Sequence, residues 1–251
     1  MRVLVTGATG RLGTEVVRAL QVDGHEVRAM SSRPGAGVVH ADLRTGEGLR
    51  EALDGVEAVL HAASAPRGDV QQVDVEGTRR LVQAADPAVL RHLVHVSIVG
   101  VERNPYRYYR AKLAAERVVL DSGLPATVVR AAQFQEFVDD LLGLARCGPV
   151  LPVPGGWAVQ PVAVAEVARY LLTVLARPAT SGVVELAGPE VLDSAALARL
   201  WAAAQVRRPR VVPLRLPGRV SRAFRSGSAL PGGGARGRRT YAQHLGRGAQ
   251  P

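Results

Sequence analysis

The chain has 251 residues and a mass of 26.5 kDa, which fits one large domain or a domain with a smaller appendage. Hydrophobic residues make up 47% of it and aromatic residues only 4%, so we expect a Val-, Leu- and Ala-rich core of the kind found in buried parallel sheets. One cysteine, Cys147, excludes an internal disulfide, and the apolar run at residues 3–6 is too short for a signal peptide or a membrane span. The composition therefore predicts a cytoplasmic protein that does not enter the membrane.

The net charge of +10 is concentrated at one end of the chain. Residues 201–251 contain eleven Arg and no Asp or Glu, whereas the first 200 residues hold 21 basic and 22 acidic groups. Such a segment can attract nucleic acid or another polyanion, but only Trp201, Phe224 and Tyr241 are available there to stack on bases. We therefore favour a solvated, Arg-rich tail and regard nucleic-acid binding as the less favoured alternative.

The first half of the chain alternates short apolar runs with helical patterns. The predicted strands are residues 3–6, 25–30, 38–40, 58–62, 92–97 and 126–130. The predicted helices are residues 12–22, 49–53, 73–85 and 108–122, the first and last of them ended by Gly24 and Gly123. This alternation predicts βαβ units and a doubly wound parallel sheet of the Rossmann type, an α/β fold.

The rhythm becomes irregular after residue 130. We expect helices at 134–145, 164–175 and 194–204, the last with Asp193 as its N-cap, and a strand at 182–186 that joins the sheet. Residues 147–156 and 226–239 are rich in Gly and Pro and predict loops, the second of them flexible. The chain thus divides into a Rossmann core, residues 1–130, and a small irregular C-terminal substrate or lid region, residues 131–251.

A glycine-rich loop follows the first predicted strand and opens the first helix. Its glycines are Gly7, Gly10 and Gly13. Glycines at such a turn let the backbone N–H groups approach a pyrophosphate, and the helix N-terminus adds its partial positive charge. The loop therefore predicts a dinucleotide site, for which we assign the residues Thr6, Gly7, Thr9, Gly10, Arg11, Leu12 and Gly13.

The end of the second strand favours NADP(H) over NAD(H). An NAD site usually has an acid there for the ribose 2′-hydroxyl, but this strand runs into Ser31, Ser32 and Arg33. The Arg33 guanidinium can pair with a 2′-phosphate, and Arg11 is a candidate second contact. In a chain so rich in arginine, the alternative is that Arg33 is simply solvated.

The only lysine of the chain, Lys112, lies four residues after Tyr108 on a predicted helix, so both side chains share one face. A nearby ammonium favours the phenolate form of a tyrosine, which can then exchange a proton with a substrate oxygen. Ser97, at the end of its strand, is placed to donate a hydrogen bond to the same oxygen. The alternative is that Lys112 is an ordinary surface residue.

The glycine loop, Ser97, the Tyr108-x-x-x-Lys112 pair and the strand–helix rhythm together resemble the short-chain dehydrogenase/reductase superfamily, in particular its atypical, NmrA-like NAD(P)H-binding branch. The resemblance implies that Asp42 and Leu43 lie beside the adenine and that Ala62 and Ala63 lie beside the adenosine ribose. It also implies that Ser97, Tyr108 and Lys112 form the catalytic set, with Lys112 also binding the nicotinamide ribose. The chain departs from the pattern at Asp74, where many relatives have Asn.

The substrate side is less defined. Gln133 and Phe134 follow the last core strand, where they can contact substrate or simply pack. An apolar wall favours a ketone, enone or quinone over a sugar nucleotide, unless it is ordinary core; its residues are Leu141, Leu142, Val150, Leu151 and Trp157. No His, Cys or Asp cluster has metal-ligand spacing, and we interpret Cys147, His92 and His95 as structural.

These observations predict an NADPH-dependent oxidoreductase that reduces a small apolar carbonyl, enone or quinone, with Tyr108 as proton donor. The alternative is a non-catalytic NADP(H)-binding redox sensor that acts through a protein partner. We expect a small-molecule substrate and no nucleic acid or membrane as partners, with a homodimer left open.

Overall fold

The computed structural model describes residues 1–66 and 68–246. The chain folds into two compact units of interleaved segments. The first unit comprises Met1–Ser97, Arg107–Arg130 and Val167–Val184; the second comprises Ile98–Tyr106, Ala131–Glu166 and the described residues from Glu185 onward. The functional division into a cofactor core, residues 1–130, and a substrate region, residues 131–251, stays a prediction.

The predicted α/β fold is confirmed by an eight-stranded parallel sheet. Its strands, numbered along the whole chain, are β1 (Arg2–Thr6), β2 (Glu26–Ser31), β3 (Val39–His40), β4 (Ala58–His61), β5 (His92–Ile98), β6 (Ala126–Ala131), β9 (Gly182–Ala187) and β12 (Ala235–Arg236). The order is β3-β2-β1-β4-β5-β6-β9-β12. Successive strands are therefore added on one side of β1 up to β3 and on its other side from β4 onward, so the strand order reverses between β1 and β4. In doubly wound sheets, ligands bind outside the carboxyl ends of the strands at this reversal.

The register of the sheet places three polar residues in one row at this position. Thr6 of β1 is opposite His61 of β4, and His61 is opposite His95 of β5. All three are essentially fully buried. Because side chains that are opposite each other in a sheet lie on the same face, the row forms a polar layer beneath the site described below.

The helices that carry site residues in the first unit are α1 (Arg11–Val22), α3 (Gly77–Ala84) and α4 (Arg107–Leu120), with the short α2 at Leu49–Leu53 and α6 at Val164–Leu175. Helix α1 buries Leu12, Val16 and Leu20 at four-residue spacing, which is one helix face. The structure differs from the predicted helix over residues 73–85, because Gln71–Glu76 forms a π-helical turn before α3. Within that turn the Asp74 carbonyl accepts a 2.5 Å hydrogen bond from the Thr78 hydroxyl, a side-chain competitor for the helical backbone bond.

The second unit contains two small sheets and a hydrophobic core of its own. Strand β7 (Val150–Pro154) pairs in parallel with β11 (Arg210–Leu214), and β8 (Ala158–Val159) pairs antiparallel with β10 (Leu192–Asp193). The prediction of a loop over residues 147–156 is therefore wrong for β7. Prolines suggested a loop, but in a two-stranded sheet each strand has a free edge that tolerates them, while Leu151 and Val153 alternate into the core.

The Arg-rich segment is folded, which corrects the interpretation of a tail. It contains β11, α8 (Arg219–Arg225) and α9 (Tyr241–His244), and residues 226–239 include β12, which pairs with Leu186 and Ala187 of β9. The remaining helices of this unit are α5 (Gln135–Ala145) and α7 (Ser194–Ala204), the latter capped by Asp193 as predicted. The high positive charge suggested a solvated segment, but the segment contains buried core residues, among them Phe224, Ala229 and Tyr241.

Candidate active site

The glycine loop between β1 and α1 forms a tight turn that excludes side chains at two positions. Gly7 has φ +67°, and a Cβ there would lie 2.8 Å from both Cα and N of Ala63. A Cβ on Gly13 would lie 2.0 Å from the carbonyl oxygen of Gly7. Both approaches are to backbone atoms, so the loop can keep this shape only with glycine at these positions.

Helix α1 begins at Arg11 with Gly10 as its N-cap, and no side chain in the described part of the chain caps it through a hydrogen bond. Thr14 instead turns its hydroxyl back to the carbonyl oxygen of Gly10 at 3.0 Å. Leu12 is buried, while Thr9 and Arg11 are exposed beside the loop. An uncapped N-terminus behind a loop that has no room for side chains fits an anionic pyrophosphate.

A directional hydrogen-bond chain joins this loop to the end of β4. Thr78 Oγ1 donates to the Asp74 carbonyl, so it must accept from His61 Nε2, 2.8 Å away. His61 Nδ1 is then the unprotonated nitrogen and accepts from Thr6 Oγ1 at 2.7 Å. Thr6 Oγ1 in turn accepts from the backbone N–H of Ala63 at 3.2 Å. This series of hydrogen bonds fixes one His61 tautomer and joins the Ala63 backbone to Thr6, the residue before Gly7.

The two histidines of the buried row are held neutral. Burial lowers the pKa of His61 to about 3, with a smaller contribution from the nearby Lys112 charge. Burial also lowers the pKa of His95 well below its ordinary value, and its ring lies 5.0 Å from that of His61. The sequence-based view of His95 as a structural histidine agrees with this position, and His92 of the same strand contacts Thr127 Oγ1 at 2.9 Å.

The end of β2 carries the residues predicted to choose between the two dinucleotides. Ser31 is buried, and its Oγ accepts a 3.0 Å hydrogen bond from the backbone N–H of Arg33. Ser32 and Arg33 are exposed. The bend thus leaves the Arg33 side chain in solvent at the carboxyl end of its strand.

The predicted adenine contacts lie after β3. Leu43 is buried against Gly77, where a Cβ would come within 2.8 Å of the Leu43 Cβ. Asp42 is held by Arg44, whose Nη2 is 2.7 Å from Asp42 Oδ2. The Arg44 hydrogen bonds lower the pKa of Asp42, so this carboxylate stays ionised and is already partnered.

Tyr108, near the start of α4, is half-buried and packs against the apolar cluster of Val70, Val75 and Ala111. Its hydroxyl lies 2.8 Å from Ser64 Oγ, three residues beyond β4. Ser64 Oγ donates to Asp74 Oδ1 at 2.6 Å. The sequence analysis missed Ser64 as a site residue, although its place just after the carboxyl end of a strand at the sheet reversal was a usable signal.

Lys112 is buried, which excludes the interpretation of a surface lysine. Its Nζ lies 3.6 Å from Asp74 Oδ1, and both side chains are almost completely shielded from solvent. Burial lowers the pKa of Lys112, while the charges of Asp74 and Glu116 act in the opposite direction. The ammonium therefore comes with a buried counter-ion and does not act on Tyr108 as an isolated charge.

The remaining predicted residues have less defined surroundings. Ser97 on β5 is buried, and its Oγ lacks a hydrogen-bond partner among residues 1–66 and 68–246. Gln133 and Phe134 belong to the second unit, where Phe134 forms a parallel bridge with Val162 just before α5. Their role toward substrate stays a prediction. Within the described residues no three His, Cys, Asp or Glu side chains are grouped to hold a metal ion, and no helix there is long and apolar enough to cross a membrane.

The sheet order, the glycine loop and the uncapped helix define a nucleotide-binding Rossmann protein of the dehydrogenase/reductase type. The comparisons with known proteins narrow this class. A family model described as NAD(P)H-binding matches residues 7–178, and the chain belongs to this family, among the atypical short-chain dehydrogenases/reductases. The chain therefore binds NAD(P)H, and some of its relatives are named as reductases.

Three relatives show how the family is used elsewhere. Sterol demethylase protein B of Methylococcus capsulatus is 39% identical over 167 residues, 53% of this chain and 51% of the relative. The (4-alkanoyl-5-oxo-2,5-dihydrofuran-3-yl)methyl phosphate reductase of Streptomyces griseus is 31% identical over 204 residues, 76% of this chain and 70% of the relative. Photosystem II assembly factor Ycf39 of Synechocystis is 31% identical over 149 residues, 54% of this chain and 46% of the relative. The chain spans about half the length of the first curated relatives it matches.

Solved structures support the fold. A short-chain dehydrogenase/reductase superfamily protein of Agrobacterium tumefaciens with bound NAD aligns with TM-score 0.72 at 24% identity, over 91% of this chain and 96% of that one. The UDP-glucose 4-epimerase of Thermus thermophilus in complex with NAD aligns with TM-score 0.71 at 20% identity, over 88% and 89%.

Proposed function

We propose that the protein is an NADPH-dependent oxidoreductase that reduces a small apolar carbonyl, enone or quinone. The observation that carries the proposal is Tyr108, whose hydroxyl is fixed 2.8 Å from Ser64 beside the buried Lys112–Asp74 pair. Positioned phenols with buried polar support act as general acids. Two relatives are named reductases, one acting on a dihydrofuranylmethyl phosphate and one on ceramide, which supports the reaction class.

Residues of the first unit would bind the cofactor, position the substrate oxygen and donate the proton. Gly7, Gly10 and Gly13 would hold the pyrophosphate, and Lys112 would bind the hydroxyls of the nicotinamide ribose. The bound cofactor would supply hydride. Ser97 would donate a hydrogen bond to the substrate oxygen, since its buried hydroxyl has no partner among the described residues, and Tyr108 would give that oxygen a proton. Substrate contacts from Gln133 and Phe134, a cytoplasmic location and a homodimer remain predictions.

The preference for NADPH would come from Arg33, because no acid follows β2 and the guanidinium is exposed where a 2′-phosphate would bind. Arg33→Ala is expected to weaken NADPH binding by roughly 10- to 100-fold, the loss of a hydrogen-bonded ion pair, and to leave NADH binding nearly unchanged. Arg50→Ala on α2 removes an exposed charge from the same unit and is the matched control. Equal weakening by both variants would show only general attraction of the phosphates.

The reductase activity is tested by titrating the protein with NADPH and NADH, then following NADPH absorbance with a panel of quinones, enones and aldehydes. Turnover of any member that falls by roughly 10²- to 10⁴-fold in Tyr108→Phe, with NADPH affinity kept, supports the proposal. Unchanged turnover in Tyr108→Phe would contradict the role of this residue. Failure to bind either nucleotide would contradict the function of the glycine loop.

A second function is a non-catalytic NADP(H) sensor that acts through a protein partner. Two observations favour it: the Synechocystis relative is named an assembly factor, and Asp74 offsets the Lys112 charge that would otherwise activate the tyrosine. This function predicts tight NADPH binding, no turnover across the panel, and a partner whose affinity differs between NADPH and NADP⁺.

A further inference from the structure

Ser64 lies between Tyr108 and Asp74, and the hydrogen-bond directions at this point are determined. A carboxylate oxygen only accepts, so the single hydroxyl hydrogen of Ser64 is donated to Asp74 Oδ1 at 2.6 Å. The 2.8 Å contact with Tyr108 Oη must then be a donation by the tyrosine. In the resting site the Tyr108 hydroxyl therefore donates its hydrogen bond to the Ser64 oxygen.

Asp74 is fixed, whereas Ser64 is free to turn its hydroxyl. Asp74 is fully buried, its Oδ2 accepts from the backbone N–H of Ala65 at 3.0 Å, and its Oδ1 also faces Lys112 Nζ at 3.6 Å. Ser64 is exposed at its position after β4, so water reaches it. Turning the Ser64 hydroxyl would exchange one hydrogen bond to a charged oxygen for another, and Asp74 would keep the Ala65 and Lys112 contacts.

We propose that Ser64 is a positioning residue for Tyr108, a hydrogen-bond switch that turns from Asp74 to the tyrosine oxygen when the phenol loses its proton. The proposal rests on the reductase function proposed above. It assigns to this chain a link between the tyrosine and the buried Asp74–Lys112 pair that needs neither cofactor nor substrate.

Hydride addition to a carbonyl carbon leaves an electron pair on its oxygen; the Tyr108 O–H bond then breaks, its proton forms the O–H bond of the product, and its electrons stay on the phenolate. Ser64 rotates its hydrogen from Asp74 to that phenolate without breaking its own O–H bond. A proton from water restores the phenol, and Ser64 returns to Asp74.

The charged and titratable groups around this switch come from several elements. Lys112 and Glu116 lie on α4 itself, Asp74 on the π-helical turn, and His61 and His95 on β4 and β5. Glu116 is engaged by Arg130, and both histidines are neutral at the pH of the experiment. Ser64→Ala removes a hydroxyl donor from beside Tyr108 and leaves these charged groups in place.

The test is the titration of Tyr108 in the full chain without cofactor, by ¹³C NMR of protein labelled at the tyrosine Cζ. The chain has five tyrosines, and Tyr108→Phe assigns the signal. Ser64→Ala is expected to move the midpoint of the Tyr108 titration upward by about one pH unit, because a hydrogen bond to a charged oxygen and one pH unit have similar free energies. Ser64→Thr keeps the hydroxyl and should restore the original midpoint.

Ser122→Ala is the matched control, since Ser122 follows the far end of α4, about 20 Å along the helix axis from Tyr108. A midpoint that stays in place or falls in Ser64→Ala would overturn the switch, even in a protein that turns over NADPH. An upward shift rescued by Thr in a protein with no turnover would support the link and count against the reductase function. In an active protein, Ser64→Ala should lower kcat with KM nearly unchanged, and Ser64→Thr should recover kcat.

Discussion

Lowering the pH from 7.5 to 5 should destabilise the protein through His61. The ring is fully buried, and both its nitrogens are engaged by Thr6 and Thr78. Burial lowers the pKa of His61 to about 3, so the folded chain does not take up this proton until the pH is strongly acidic. The unfolded chain takes it up near pH 6.5.

The magnitude follows from linkage. Because the folded pKa lies below the unfolded one, the stability that His61 contributes is complete above pH 6.5 and is lost as the pH falls toward 3. At pH 5 the difference of 1.5 pH units from the unfolded value corresponds to about 2 kcal/mol. His95 should add a loss of the same sign, since its pKa is also lowered by burial. Folded domains are stable by only about 5–15 kcal/mol, so the effect is measurable.

The assay is urea unfolding at pH 7.5, 6.5, 5.5 and 5, with the wild type compared to His61→Gln. The variant loses stability at every pH because it disturbs the buried hydrogen bonds to Thr6 and Thr78, but it has no imidazole ring to protonate. The free-energy gap between the two proteins should therefore shrink by about 2 kcal/mol between pH 7.5 and 5. His40→Gln, at an exposed histidine, should keep a constant gap. A constant gap for His61→Gln as well would refute the reasoning.

Two further perturbations test other parts of the first unit. Gly13→Ala should abolish NADPH binding in a fluorescence titration, because its Cβ would lie 2.0 Å from the Gly7 carbonyl oxygen and the loop would have to open. Gly35→Ala is the control and should bind NADPH normally, because its Cβ would meet only Val38 Cγ2 at 3.5 Å. Arg130→Met should lower the free energy of unfolding by about 3–5 kcal/mol, since it leaves Glu116 buried without the bidentate contacts of 2.9 and 2.5 Å. Adding Glu116→Leu should recover much of that loss in urea unfolding, whereas no recovery would mean that packing rather than the unpaired charge dominates.

The fold was largely predictable because its signals are local. Alternating apolar runs and helical patterns predicted β1 to β6, α1, α2 and α4 within one or two residues, and Gly7, Gly10 and Gly13 marked the turn after β1. The helix predicted to begin at residue 73 begins as α-helix only at Gly77, after the π-helical turn. The errors arose where composition misleads. Pro152 and Pro154 suggested a loop where a two-stranded sheet tolerates them, and arginines concealed the buried residues that fold the C-terminal segment.

The candidate site was only partly predictable, because its contacts join residues that are distant in sequence. Tyr108 and Lys112 were visible as a pair on one helix face. Ser64 meets Tyr108 across 44 residues, and His61 meets Thr6 across 55. Nothing local in the sequence encodes those contacts, which depend on the register of β1 against β4 and on the packing of α4 against the π-helical turn.

The partner of Lys112 also explains why this position has kept a lysine in a chain where every other basic residue except histidine is arginine. Asp74 already accepts from Ser64 and Ala65, and Glu116 is taken by the two guanidinium contacts of Arg130. A compact ammonium needs room for only one small charged group beside Asp74. A buried guanidinium would bring five N–H donors in a fixed plane, and most of them would lack acceptors. Each buried donor left without an acceptor costs free energy, which favours lysine over arginine at this position.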